Sequence, residues 1–350
     1  MTTHRYIRAN SVERALNIIG DRWSLLILRD SFLGVRRFQD WQQRLAIPRQ
    51  RLADRLKKLV ARGVLRKVRY LQKPPRYEYR LTAMGRDLYT VALMIRRWED
   101  RWLTDRRQRW VWLVHSTCGR HMDPRCVCGR CGAEVIATQT RYENGPGAGR
   151  ERAPGRVQRR SEASPGGNAG QRFFIELATE VLADRWTYMV IGGAFLGIRR
   201  FDAMRRELAI ATNILADRLS RLVDDGLLKR LPSRERAGVY DYVLTEKGKD
   251  FFPVVVALMT WGDRWLAGDK GPPLILYHQP CGRRLVPRFV CDRCGGDLRP
   301  HEVSYRLAGG HIEPLSHQAP VRSQHRVASK PAGIEEIRGR MPAVKQTRSK

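Results

Sequence analysis

Apolar residues in the first hundred positions recur at helical spacing. Val12, Ala15, Leu16 and Ile19 fall three and four apart, a second apolar segment runs from Trp23 to Leu28, and Gly34 breaks the pattern. The spacing then predicts a short helix over Phe38–Leu45 and another over Arg49–Ala61. The second turns Leu52, Leu56, Leu59 and Val60 inward, and Gly63 stops it. Beyond Gly63 the texture becomes that of strands: Leu65–Tyr70 and Tyr77–Leu81, joined by the extended tip Gln72-Lys73-Pro74-Pro75-Arg76. Thr82 is placed to cap a following helix, whose seam is Leu88, Val91, Ile95, Trp98 and Trp102. Two short helices close in sequence and then a β-hairpin make a winged helix-turn-helix; by pattern alone a generic small α+β domain is the alternative.

The same pattern returns at an offset of 163. Asp21-Arg22-Trp23 recurs as Asp184-Arg185-Trp186, Leu52-Ala53-Asp54-Arg55-Leu56 as Leu215-Ala216-Asp217-Arg218-Leu219, and Asp100-Arg101-Trp102-Leu103 as Asp263-Arg264-Trp265-Leu266. The offset holds from Glu13/Glu176 to Cys131/Cys294, so the chain is a tandem duplication. The helical seam recurs as Phe251, Val254, Leu258, Trp261 and Trp265, with Pro253 kinking or trimming the helix start. Spacings of three and four usually mark a core, and they also suit pairing of helices between the copies.

These readings divide the chain into six parts. Residues 1–107 are a first winged helix-turn-helix domain and 108–137 a zinc-ribbon-like segment. Residues 138–170, rich in Gly, Pro and Ser and nearly devoid of apolar side chains, are a flexible linker. Residues 171–270 and 271–302 repeat the domain and its zinc-ribbon-like segment, and 303–350 form a basic disordered tail. The expected fold is mainly α with small β wings.

Charge narrows the function. The 350 residues hold 66 Lys+Arg against 35 Asp+Glu, a net +31, which implies a polyanionic partner. Residues Met1–Asn10 carry no apolar stretch, and the most apolar segment, Phe251–Trp261, is too short to span a bilayer. The expectation is a soluble, cytoplasmic, nucleoid-associated bacterial protein without membrane contact.

Seven cysteines in a reducing compartment read as metal ligands. In the first copy His115-x2-Cys118 is followed after nine residues by Cys128-x2-Cys131, and in the second His278-x2-Cys281 by Cys291-x2-Cys294 at the same interval. Each copy thus offers one His and three Cys, a closed donor set for structural Zn²⁺, and two zinc sites are expected, one per copy. Gly119, Gly132, Gly282 and Gly295 follow the second ligand of each pair. Cys126, replaced by Phe289 in the second copy, is a spare thiol or else displaces His115.

Residues 11–103 and 174–266 resemble the HxlR family of bacterial transcription regulators. The resemblance rests on Val12-Glu13-Arg14-Ala15-Leu16, Gly20-Asp21-Arg22-Trp23, Gly34-Val35-Arg36-Arg37-Phe38, Leu52 to Leu59, and Pro74-Pro75-Arg76-Tyr77-Glu78-Tyr79. It implies a winged helix, dimeric DNA binding, transcriptional control and a dimer contribution from the helix after the wing. Two departures are visible. Ser11 and Phe174 stand where some members carry a redox-sensing cysteine, and Pro48 and Ala211 where a capping serine is usual. Capping must come from elsewhere, with Thr212 a candidate.

A recognition helix presents its first residues to base edges. These are Arg49, Gln50 and Arg51 in copy one and Thr212, Asn213 and Ile214 in copy two, so the copies are expected to prefer unlike half-sites. Phosphate contacts are expected from Arg36, Arg37, Lys57, Lys58, Arg69, Lys73 and Arg76, and from Arg199, Arg200, Arg221, Lys229, Arg230, Arg234 and Arg236. Arg55 and Arg218 either join these or brace the helix-turn-helix. The resulting reading is a sequence-specific regulator binding double-stranded DNA as a pseudo-dimer within one chain, with room for further homodimerisation. The alternative is an RNA- or ribosome-associated zinc-ribbon protein, disfavoured because A-form RNA hides its major groove. No catalytic constellation stands out, so an enzyme is not expected.

Overall fold

The computed structural model describes residues 6–104, 111–152, 175–182, 185–233, 238–307 and 312–314. In the first copy β1 (Tyr6–Arg8) leads into α1 (Ser11–Ile19), α2 (Arg22–Phe32), α3 (Phe38–Leu45) and α4 (Arg49–Ala61). The wing β2 (Leu65–Leu71) and β3 (Arg76–Leu81) follows, then α5 (Ala83–Asp87) and α6 (Tyr89–Trp102). Short strands complete the copy: β4 (Val111–His115), β5 (Arg120–His121), β6 (Pro124–Cys128), β7 (Thr140–Asn144) and β8 (Arg150–Arg152). The second copy repeats this as α7 (Glu176–Val181), α8 (Arg185–Phe195), α9 (Phe201–Glu207), α10 (Thr212–Asp224), β9 (Leu228–Pro232), β10 (Tyr240–Leu244), α11 (Glu246–Lys249) and α12 (Phe252–Leu266). It ends with β11 (Leu274–His278), β12 (Arg283–Arg284), β13 (Pro287–Cys291), β14 (Val303–Leu307) and β15 (Ile312–Pro314).

Local chemistry explains the element boundaries. Asp21 caps α2, accepting from the Ser24 N–H at 3.1 Å, and the same carboxylate receives Arg55 Nε from α4 at 2.8 Å. Arg55 therefore braces the helix-turn-helix. Gly63 takes the left-handed conformation (φ 73°) that ends α4. Thr82 and Thr245 cap α5 and α11, each accepting from the N–H three residues on at 3.1 Å. Pro253 sits in the first turn of α12, where its missing N–H costs nothing.

The two copies are interlocked. Helix α1 packs along α12 of the other copy, and α7 packs on α6. The indoles bind reciprocally: Trp98 Nε1 donates to the Lys247 carbonyl at 3.0 Å, and its repeat equivalent Trp261 donates to the Met84 carbonyl at 2.9 Å. Likewise Trp102 donates to Asp250 at 2.8 Å and Trp265 to Asp87 at 2.9 Å. The buried apolar residues accordingly form one cluster that runs through both copies, from Val12 to Tyr305.

The two helix crossings close differently. Glu99, on α6, accepts from the N–H groups of Ile175 (2.7 Å) and Ala178 (3.2 Å) at the start of α7, where a carboxylate complements the helix dipole. Its equivalent is Gly262, where an added Cβ would lie 2.4 Å from the Ser11 carbonyl oxygen. Gly262→Ala is expected to destabilise the fold by about 1–3 kcal/mol despite alanine's better helix propensity. A thermal melt unchanged or raised by the substitution would show that α1 yields easily.

Two segments read as irregular are partly ordered. Residues 138–152, assigned to a flexible linker, carry β7, antiparallel to β11 (Thr140 opposite His278), and β8, antiparallel to β1 (Arg152 opposite Tyr6). Residues 303–314, assigned to the tail, hold β14, which pairs with β4 (Val303 opposite His115), and β15 beside it. Strands β7 and β14 are repeat equivalents, and each adds to the other copy's sheet. The physical reason is that β7 is an exposed edge strand whose affinity comes from backbone hydrogen bonds, so no apolar alternation marks it. The remainders, 153–170, 308–311 and 315–350, lie outside the described residues.

Candidate nucleic-acid interface and metal centres

The recognition helices α4 and α10 bury Leu52, Leu56 and Leu59, and Leu215, Leu219 and Leu222, on their inner faces. Their first residues stand outward: Arg49, Gln50, Thr212 and Asn213 are exposed, Arg51 and Ile214 half-buried. Neither Pro48 nor Ala211 supplies a side-chain cap, and Thr212, the candidate for this task, does not cap α10 either. Gln50 donates to Asp54 one turn on at 3.1 Å, and the Arg49 guanidinium lies 5.9 Å from the Phe38 ring centre.

The wings are tied to the turn before each first helix-turn-helix helix. The Tyr79 N–H donates to the Arg36 carbonyl at 2.8 Å, and the Tyr242 N–H to the Arg199 carbonyl at the same distance. Arg37, Lys57, Arg69, Lys73, Arg76, Arg199, Arg221, Lys229 and Arg230 are exposed, while Arg36 and Arg200 are half-buried. Arg37 stacks 5.0 Å from the Tyr70 ring and Arg230 3.5 Å from that of Tyr240, which holds both guanidinia on the wing faces. Several expected phosphate contacts have internal partners. Lys58 approaches Asp21 at 3.9 Å, Arg200 Asp241 at 3.8 Å and Arg221 Asp217 at 3.2 Å. Arg218, only 13% exposed, pairs with Asp217. Arg234 and Arg236 lie outside the described residues.

All eight expected metal ligands cluster, in a grouping the spacing did not predict. His115 and Cys118 of the first copy meet Cys291 and Cys294 of the second, and Cys128 and Cys131 meet His278 and Cys281; within each group the donor atoms lie within 4.8 Å of one another. The one-site-per-copy expectation is therefore wrong: each site takes one pair from each copy. The strands explain the exchange. His115 ends β4, and β6 then carries Cys128 four residues away from Pro124, about 13 Å at strand rise. The antiparallel partner β13 returns Cys291 to a position opposite Pro124, beside the His115/Cys118 turn, and Pro287 pairs with Cys128.

In the first group Cys118 Sγ lies 4.0 Å from Cys291 Sγ and 3.7 Å from His115 Nδ1, and that nitrogen is 3.2 Å from Cys294 Sγ. In the second, Cys128 and Cys281 are 4.0 Å apart, with His278 Nδ1 3.4 Å from Cys131 and 3.6 Å from Cys281. Both imidazoles are buried. Gly119, Gly132, Gly282 and Gly295 all adopt positive φ (66–75°), which turns the chain back so that both ligands of a pair face one point. The backbone N–H of Arg120 holds the Cys118 thiol below its usual range. At Cys128 burial raises the thiol, but the N–H groups of Arg130 and Cys131 outweigh it and the net shift is downward.

Cys126 belongs to neither group. It is buried opposite Phe289 at the centre of the β6–β13 ladder, where equivalent positions of the two copies face each other. Burial pushes its thiol up to about 12, so it packs as a small apolar residue, and displacement of His115 is overturned.

Paired recognition helices, each with its wing, define a helix-turn-helix protein of the winged class. The family model described as HxlR-like helix-turn-helix matches residues 18–107 and again 181–270, and the chain belongs to that family. An uncharacterized HTH-type transcriptional regulator of Mycobacterium tuberculosis (strain CDC 1551 / Oshkosh) is 45% identical over 145 residues, 41% of this chain and 91% of its own length. The HTH-type transcriptional regulator YdeP of Bacillus subtilis (strain 168) is 34% identical over 92 residues, 26% of this chain and 72% of its own. The crystal structure of PA1607 shares 36% identity over 37% of this chain and 89% of its own, with a TM-score of 0.34.

Proposed function

We propose that this chain regulates transcription by binding specific duplex DNA as an intramolecular pseudo-dimer, its two recognition helices reading unlike half-sites. The observation that carries the reading is the reciprocal set of Trp contacts between copies, which joins two helix-turn-helix units whose outward first residues differ. The mycobacterial relative supports it, since one stretch of 145 residues accounts for nearly all of that protein. Two such units in one chain take the place of two subunits, and the half-sites need no longer be identical. Arg49 and Arg51 suit guanine and Gln50 adenine in one half-site; Asn213 suits adenine and Ile214 a thymine methyl in the other. The uncapped N–H groups at the starts of α4 and α10 add donors for phosphate.

Zinc is the ion the two mixed sites fit. Zn–S bonds near 2.3 Å and Zn–N bonds of about 2.0–2.1 Å set tetrahedral edges of about 3.8 Å between sulfurs and about 3.5 Å from nitrogen to sulfur. The nitrogen–sulfur separations of 3.2–3.7 Å bracket the second edge, the Cys118–Cys291 and Cys128–Cys281 sulfurs stand at 4.0 Å, a little above the first, and all donors of a group lie within 4.8 Å. The ions close four-ligand sites and so act structurally, joining the copies at a second place.

Selection of bound fragments from random DNA tests the reading, and a motif of two unlike halves is the expected result. Arg51→Ala should weaken binding by about 1–3 kcal/mol and relax preference within one half only. A palindromic motif, uniform loss across sequences, or preference for structured RNA would sink it.

A further inference from the structure

The second copy contains a cavity of about 260 Å³ between α8, α12 and β10, closed by Ala137–Tyr142 of the first copy and by β11. Tyr188, Phe195, Tyr242 and Phe252 give it aromatic walls, with Gly192 and Met259 on its floor. Comparison of the copies explains why space exists there. The first copy carries Arg29, Asp30 and Arg96 where the second has Gly192, Gly193 and Met259. Those charged side chains are buried: Arg29 binds Asp30 at 2.8 Å, and Arg96 binds Asp100 at 2.6 Å and the Val111 carbonyl at 3.1 Å. The second copy thus lacks the buried ionic filling of the first, while three of the four aromatic wall positions are aromatic in both, Phe195, Tyr242 and Phe252 answering to Phe32, Tyr79 and Tyr89. Gly192 lies inside an eleven-residue helix, where glycine costs about 1 kcal/mol, yet an added Cβ there would meet nothing within 4 Å.

We infer that this cavity is a small-molecule site in the second copy, and that its ligand is an aromatic organic anion. The rings and Met259 take the apolar body. The charge preference comes from the rim, where Arg141 and Lys249 pair with Glu143 and Glu246. Arg199 is then the rim cation with no carboxylate partner among the described residues. The ligand would also touch the wing tether, because Tyr242 lines the cavity and donates to the Arg199 carbonyl at 2.8 Å.

Fluorescence titration of the full chain with anilinonaphthalene sulfonate, an aromatic anion, and with neutral phenylnaphthylamine tests the site without DNA. One saturable site per chain is expected for both probes. Gly192→Leu, which refills the floor, should weaken both about tenfold or more. Arg199→Gln should weaken the sulfonate about three- to tenfold and leave the neutral probe unchanged. If Gly192→Leu loses native helicity, Met259→Arg, which restores the first copy's residue, decides the same point with the neutral probe, whose binding the added cation does not favour. Absence of saturable binding, or unchanged affinity in a folded refilled variant, overturns the site. An equal response of both probes to Arg199→Gln overturns the anionic class.

Discussion

Replacing Cys118 and Cys294 together by serine should leave the chain with about one zinc ion, whereas replacing Cys118 and Cys131 together should leave it with close to none. The first pair belongs to one mixed site, so the other remains complete. The second pair lies within one copy but removes a ligand from both sites. Had each copy closed its own site, the outcomes would be reversed, so elemental analysis of the two double variants decides between the arrangements. The effect on folding should be large. Binding of a structural zinc ion is worth on the order of 10 kcal/mol, and here one ion would join residues 173 apart in sequence, Cys118 and Cys291, and the other residues 153 apart, Cys128 and Cys281. A chelator that strips both ions should therefore lower the melting temperature of the whole molecule. Loss of the ions with an unchanged melt would remove the structural role.

Trp98→Ala should cost about 3–5 kcal/mol and lower the melting temperature by roughly 5–10 °C. Trp98 is fully buried, meets the Phe251 ring edge-on at 5.4 Å, and donates to the Lys247 carbonyl of the other copy. Truncation removes core volume and the link between copies together. Trp98→Phe should cost less, since it keeps a six-membered ring against Phe251 while losing the hydrogen bond, at about 1 kcal/mol, and leaving a smaller void. If the alanine variant melted within about 1 °C of the parent, the contact between copies would not be what holds them. Trp261→Ala should behave alike, because Trp261 makes the equivalent bond to Met84.

Much of each unit was legible in the sequence because its elements are amphipathic on their own. Phe38–Leu45 and Arg49–Ala61 form helices with the bounds their spacing predicted, and Thr82 caps as its position suggested. Of the two strands that pass between copies, Val303–Leu307 alternates apolar with polar and buries Val303 and Tyr305, a signal open to reading, whereas the other was not legible. Thr140–Asn144 has one half-buried residue and four exposed ones, so nothing in its hydropathy marks a partner. The interface residues carried a signal that could be read either way. A seam of Leu88, Val91, Ile95, Trp98 and Trp102 usually marks a core and also suits an interface, and in the interlocked fold it serves as both.

The sequence by itself determined the duplication, the two winged helix-turn-helix units, the divergent first turns of the recognition helices and the eight His and Cys residues that make up the two candidate metal sites. Local periodicity, caps and ligand chemistry are short-range properties, and each copy carries its own full set. Only the tertiary structure decided which of them group together, because that depends on β6 carrying Cys128 away from His115 while the antiparallel β13 brings Cys291 to it. It also decided where space remains. Gly192 and Met259 look unremarkable in sequence and become a cavity floor only because the walls around them are set by the same packing that, in the first copy, encloses Arg29 and Arg96.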